Sequence, residues 1–135
     1  MKSRPTSELN SQSTPTHPGR VTLVTYGFKY GPPPTNYSFD VSFIKNPARD
    51  SRWGLFGSLD EEMAQFVLVQ PKAEAFLKAV VPLIEVLCQC DDDLRIGIGC
   101  NAGRHRSRIV AAELQSRLRR VGIDAGLVHR EEQLK

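Results

Sequence analysis

The nine residues Gly99-Cys100-Asn101-Ala102-Gly103-Arg104-His105-Arg106-Ser107 constrain the architecture of this chain more than any other stretch. Residues 94–98, Leu-Arg-Ile-Gly-Ile, read as a strand leading into them. Residues 106–121 follow with Val110, Leu114, Leu118 and Val121 at helical spacing, and Gly122 stands where a left-handed C-terminal glycine belongs. A strand that passes through a short glycine-containing loop into a helix is the unit from which α/β domains are built. It is also an anion site in waiting. The N–H groups of a helix's first turn have no intrahelical acceptor, and the helix dipole adds partial positive charge there. Arg104, His105 and Arg106 crowd the same turn, and Gly103 allows a positive φ or the close approach of a ligand.

The rest of the chain supplies the partners of that unit. Residues 21–25 alternate β-formers and read as a first strand. Residues 26–34 hold two glycines and three prolines and read as a shaped loop, whose Phe28 and Tyr30 either cover the core or meet a ligand. Residues 38–44 read as a second strand, with Phe39, Val41 and Phe43 on one face and Asp40 and Ser42 on the other. A carboxylate in that position needs an arginine, or the hydroxyl or amine of a ligand. After Asn46-Pro47 a long loop passes through Arg49, Asp50, Arg52 and Trp53. Ser58-Leu59-Asp60-Glu61 then fits a capping box that opens a helix over 59–69. Pro71 starts another, with Phe76, Leu77, Val80, Val81, Ile84, Leu87 and Cys88 on its apolar face and a kink expected at Pro82. Residues 123–128 form a fourth strand, parallel to the third through a right-handed helical crossover. The expected fold is α/β: a small mixed or mostly parallel sheet of about four strands, packed with about three helices. Its phosphate loop lies beyond the carboxyl ends of the strands, where open α/β sheets bind ligands.

A chain of 135 residues makes one domain with a tail. Residues 1–19, rich in Ser, Thr and Pro, are expected to be disordered, and 20–135 to form the domain. The most apolar run, 79–88, contains Pro82 and Glu85 and is far shorter than the roughly 20 residues a bilayer needs. The N-terminus shows no secretory pattern, so the expectation is a cytoplasmic protein without a membrane partner. Cys88, Cys90 and Cys100 read as thiols, with no metal and no cofactor expected. The net charge of +3 is unevenly placed. Between residues 100 and 130, Arg104, Arg106, Arg108, Arg117, Arg119, Arg120 and Arg130 face only Glu113 and Asp124. Such a block attracts phosphates, those of nucleic acid included, and its plain alternative is a solvated helix face.

The loop also satisfies C-x5-R-[ST], the phosphate loop of cysteine-dependent phosphatases. Cys100 is then the thiolate nucleophile, Arg106 clamps the phosphoryl oxygens, and Ser107 assists the leaving thiolate. Asp40, Asp50 or Asp60 has to supply the proton, and nothing in the sequence selects among them. Gly99 stands where that motif usually has histidine. The favoured reading is a non-catalytic binding module, with Cys100 a small buried residue at a strand end.

The set Gly27-Phe28-Lys29-Tyr30-Gly31 with Pro33, Phe39-Asp40-Val41-Ser42-Phe43, Asn46-Pro47, residues 99–107 and His129-Arg130 resembles the C-terminal domain of the RNase adapter family RapZ, over about residues 20–131. In that family the blocks read GFKYG-x-P, FDVRF, NP, GCTGG-x-HRS and HR. The resemblance implies an α/β domain similar to a subdomain of phosphofructokinase. It also implies a pocket for an amino-sugar phosphate such as glucosamine-6-phosphate, RNA binding and self-association. Carried over by position, it marks Asp40, Asn46, Cys100, Gly103, Arg104, His105, Arg106 and Ser107 as pocket residues, with Asn101 in the same loop. For RNA it points to the basic positions Lys29, Arg108, Arg117, Arg119, Arg120 and Arg130. Three departures stand out. No G-x-x-x-x-G-K-[ST] occurs in the sequence, Ser42 takes the place of the family's arginine, and Asn101-Ala102 replaces Thr-Gly.

Overall fold

The structure, a computed structural model, describes residues 20–47 and 60–133. The tail, the loop positions Arg49, Asp50, Arg52 and Trp53, and the Ser58 cap lie outside the described residues. Four strands, β1 (Arg20–Gly27), β2 (Tyr37–Asp40), β3 (Asp93–Cys100) and β4 (Asp124–His129), pair in the order β2-β3-β1-β4. Every pairing is parallel, so the mixed alternative is excluded. The described residues also form three α-helices, α1 (Glu61–Leu68), α2 (Pro71–Cys88) and α3 (Arg106–Arg120).

β4 is parallel to β3, as the crossover rule requires, yet it hydrogen-bonds to β1 and not to β3. β1 is therefore central, and it carries five buried residues in a row, from Leu23 to Gly27. The steps β2 to β3 and β3 to β4 move the same way across the sheet, and right-handed crossovers then place all three helices on one face. The three helices do touch one another. Leu94, Ile96, Ile98 and Cys100 project from β3 into the core shared with Leu77, Val80 and Ile84 of α2 and Val110, Leu114 and Leu118 of α3. Val121, counted in that stripe from the sequence, is exposed because it caps the helix, and Gly122 beyond it has φ 87.

On the other face the Tyr26 ring lies across β3, where a side chain at Gly99 would overlap it. Glycines at 97 and 99 are what allow that aromatic ring to lie flat on the strand.

The second strand is shorter than its alternation suggests. It ends at Asp40, whose Oδ1 accepts the Ser42 N–H at 2.7 Å and folds the chain into an Asx turn. Val41 and Ile44 then enter the core while Phe43 is exposed, so the two-face assignment of residues 38–44 does not hold. The partner expected for the Asp40 carboxylate is an arginine or a ligand hydroxyl or amine; a backbone amide meets part of that need. α1 likewise takes its cap from Asp60, which accepts the Met63 N–H at 2.8 Å. No helix among the described residues is long and apolar enough to cross a membrane.

Candidate functional site

β3 delivers the chain to the loop through Cys100, and Gly103 turns it with φ 71. His105 precedes α3 in a non-helical conformation, and no side chain caps the helix. The first turn of α3 contains no acidic residue. The N-cap side chain therefore accepts none of the leading N–H groups, which favours an anion in that place.

Arg106, the first residue of α3, is 8% exposed. Its Nη1 donates to the carbonyl of Ser42 at 2.9 Å and to that of Ile44 at 3.0 Å. The guanidinium thereby fastens the turn after β2 against the start of α3. Beside it lies a cavity of about 470 Å³ lined by Ser42, Phe43, Ile44, Lys45, Asn46, Asn101 and Arg106. Two cations and two amides face this space, with no carboxylate among the described residues that line it. Among the residues singled out from the sequence, it gathers Asn46, Asn101 and Arg106. Lys45 is a lining residue that sequence reasoning missed, because nothing in the sequence says where its side chain lies. Its backbone is held by Gln70, whose Oε1 accepts the Lys45 N–H at 2.8 Å.

The other pocket positions are not among the residues that line this cavity. Arg104 is exposed and His105 and Ser107 are buried. Cys100 is 3% exposed, belongs to the core cluster, and lies with Sγ 3.4 Å from the Ser107 Oγ. Asp40 is exposed with one oxygen committed to its Asx turn.

Behind the loop is a buried carboxylate that sequence reading did not find. Glu131, 6% exposed, accepts the Gly27 N–H at 2.8 Å and two donors of Arg130, Nη2 at 2.6 Å and Nε at 3.0 Å. Burial pushes its carboxyl upward, but the bonds from Arg130 and Gly27, with the charges of Arg130 and Arg108, hold it below the usual glutamate value. Arg130 also donates to the carbonyls of Pro32 at 2.7 Å and Gly31 at 2.8 Å. The loop rests directly on this clasp. A Cβ at Gly103 would meet the Gly27 nitrogen at 2.7 Å and the Glu131 Cγ at 2.9 Å; one at Gly27 would meet the Ala102 carbonyl carbon at 2.5 Å. The close approach that Gly103 permits is to the end of β1.

Gly103→Ala is therefore expected to cost about 2 kcal/mol, since it forces both a positive φ and a backbone collision. A denaturant titration reads this directly, and a wild-type midpoint in the variant contradicts the packing described.

The basic positions divide sharply. Arg117 is committed to ion pairs with Glu74 at 2.6 Å and Glu113 at 2.9 Å, which lower the Glu74 pKa and raise that of Arg117. Arg130 is committed to the clasp, and Arg108 Nε donates to the Gly103 carbonyl at 3.0 Å. Lys29, Arg119 and Arg120 are exposed. Arg120 donates to the Ser116 Oγ at 3.2 Å and lies 3.9 Å from a Glu113 oxygen. No group of three or more metal-ligating side chains occurs among the described residues, and all three cysteines are free.

The family model for the RapZ C-terminal domain matches residues 19–133. Curated relatives include nucleotide-binding proteins of Corynebacterium jeikeium and Salinispora arenicola, 35% and 36% identical over 118 residues. A third, from Streptomyces coelicolor, is 31% identical over 118 residues. In each case the alignment covers 83% of this chain but only 40% of the relative.

Proposed function

The chain belongs to the RapZ C-terminal domain family, and from that premise we propose that it is a regulatory binding module for a phosphorylated small molecule. One observation carries the reading. The start of α3, whose N-cap side chain makes no capping bond, adjoins a cavity whose polar wall includes Lys45, Asn46, Asn101 and Arg106, with no carboxylate among its described residues. The phosphate lies against the α3 N–H groups and Arg106, with Arg104, His105 and Ser107 completing the loop. The family likeness favours an amino-sugar phosphate such as glucosamine-6-phosphate. Asn46 and the second oxygen of Asp40 then read its hydroxyl or amine groups. "Nucleotide-binding" describes relatives of which this chain matches two fifths, so it carries less weight here than the site itself.

Family membership also suggests RNA binding and self-association. An RNA contact falls to Lys29, Arg119 and Arg120, because Arg117 and Arg130 are bonded within the fold. The phosphatase alternative is less well supported. Cys100 is 3% exposed and packed in the core, out of reach of a substrate as a nucleophile.

Thermal unfolding with inorganic phosphate and a panel of sugar phosphates tests the proposal, with phosphate release followed in the same samples. A ligand at 100 times its dissociation constant adds about 2.7 kcal/mol and raises the melting temperature visibly. Stabilisation without turnover is expected. Phosphate release that disappears in Cys100→Ser overturns the binding-module reading in favour of the phosphatase.

A further inference from the structure

A second cavity, of about 540 Å³, lies between α1, α3 and the end of β4. It shares no lining residue with the cavity beside Arg106. Its floor is apolar, made by Ala64 and Leu68 on the α1 side and Ile109 and Ala112 on the α3 side. Around that floor stand groups of both signs: Arg108 and His129, and the carboxylates of Asp60, Glu61 and Glu113. An apolar body with a few polar groups to fix orientation is the composition of a small-molecule pocket.

The opposite charges on this wall do not neutralise one another. The Arg108 Nε donates to the Gly103 carbonyl at 3.0 Å, an uncharged partner that fixes the guanidinium and leaves its charge standing. Glu131 feels that charge, but its own bonds go to Arg130 and Gly27. Glu113 is paired through Oε2 with Arg117 at 2.9 Å, and Asp60 uses Oδ1 to accept the Met63 N–H at 2.8 Å, so each keeps a second oxygen. Glu61 is exposed. His129 adds a polar edge held from behind, with Nδ1 2.8 Å from the Oγ1 of the fully buried Thr25. Along α3, Arg108 and Glu113 are separated by about 7.5 Å of helix rise, with Ile109 and Ala112 in the interval.

We infer that this cavity binds a short aliphatic zwitterion, an ω-amino carboxylate. Arg108 takes its carboxylate, Glu113 takes its ammonium together with Glu61 from α1, and the apolar floor takes its methylenes. Separation is what the geometry selects. An α-amino acid carries both charges on one carbon, too close together to reach Arg108 and Glu113 at once. A dicarboxylate brings a like charge to Glu113, and a diamine brings one to Arg108.

Calorimetric titration of the full chain with 6-aminohexanoate, hexanoate, hexylamine and glycine tests the assignment. The 6-aminohexanoate is expected to bind about tenfold more tightly than any of the other three, the order of one charge-assisted contact. Arg108→Gln is expected to remove that advantage and to leave hexylamine binding as it was. Because Arg108 also holds Gly103, circular dichroism has to show the variant folded. Ala112→Leu is the independent check, since it fills the floor without removing a hydrogen bond and is expected to abolish 6-aminohexanoate binding. Hexylamine binding as tightly as 6-aminohexanoate would reduce the site to an acidic rim, and hexanoate doing so would reduce it to one arginine; either overturns the proposal. Binding of 6-aminohexanoate that survives both variants overturns it, as does no binding at all. Displacement of 6-aminohexanoate by inorganic phosphate would mean a single shared site and overturns it too, whereas failure to bind 6-aminohexanoate leaves the phosphate site at the start of α3 untouched.

Discussion

Replacing Arg106 with alanine is expected to remove phosphate binding and to lower stability by about 3 kcal/mol. The second figure follows from what the guanidinium holds. Its Nη1 donates to two backbone carbonyls, those of Ser42 and Ile44, and charge-assisted bonds contribute roughly 1.5 to 3 kcal/mol each before solvent re-entry is counted. For a domain of this size the loss corresponds to a melting temperature about 10 °C lower. Binding must therefore be measured in the cold, with circular dichroism confirming that the variant is folded. Arg106→Lys separates charge from geometry. It keeps the positive charge, but one ammonium does not reproduce the planar fork, so part of the stability returns and phosphate binding stays weak. Arg119→Ala is the control: that side chain is exposed on the last turn of α3, and its removal should change neither quantity by more than about 0.5 kcal/mol. Folded Arg106→Ala that binds phosphate as the wild type does would place the anion elsewhere.

Arg106 shows how far the sequence carries and where it stops. That the residue begins a helix at an anion-binding turn is written locally, in the strand before it, the glycine at 103 and the apolar spacing behind it. That it fastens Ser42 and Ile44 is not, because those carbonyls lie more than sixty residues earlier. The same division runs through the fold. Strands β1, β3 and β4 and helices α2 and α3 follow from alternation, Pro71 and helical spacing. The position of β4 beside β1 does not, since a crossover rule fixes handedness and parallel direction but not how many strands are skipped. β2 was overextended because Phe39, Val41 and Phe43 alternate like strand residues. The competing signal was Asp40 with Ser42 two residues on, an Asx turn that outweighed the pattern. Among the basic residues, composition identified the charge but not its commitments. Arg117 and Arg119 look alike in sequence, and only the fold brings Glu74 to one of them.

Glu131 is the residue the sequence hid most completely, and its loss is expected to be costly as well, though less so than that of Arg106. Glu131→Ala leaves the Gly27 N–H without its acceptor and Arg130 without its carboxylate, in a place where the glutamate is 6% exposed. Arg130 is 24% exposed, so the pair is buried on one side only, and removing the carboxylate is expected to cost about 2 kcal/mol, in large part through the orphaned Gly27 N–H. Because Gly27 and Gly103 are packed against each other, the disturbance should reach the anion loop and weaken phosphate binding as well. Glu131→Gln retains an acceptor for Gly27 and should recover part of the loss. Acid distinguishes charge from shape. The Glu131 carboxyl titrates below its unfolded value, near 4.3, despite a burial that opposes this. A depressed folded pKa means that its stabilisation is fully present above that unfolded value and is lost as pH falls through the folded one. The stability gap between wild type and Glu131→Gln should therefore be widest near neutrality and shrink below about pH 4, because the glutamine has no proton to gain. Glu74, also depressed by Arg117, titrates in both proteins and cancels from that difference. A gap that stays constant across this range would mean that Glu131 holds the loop by its hydrogen-bonding shape, with its charge contributing nothing.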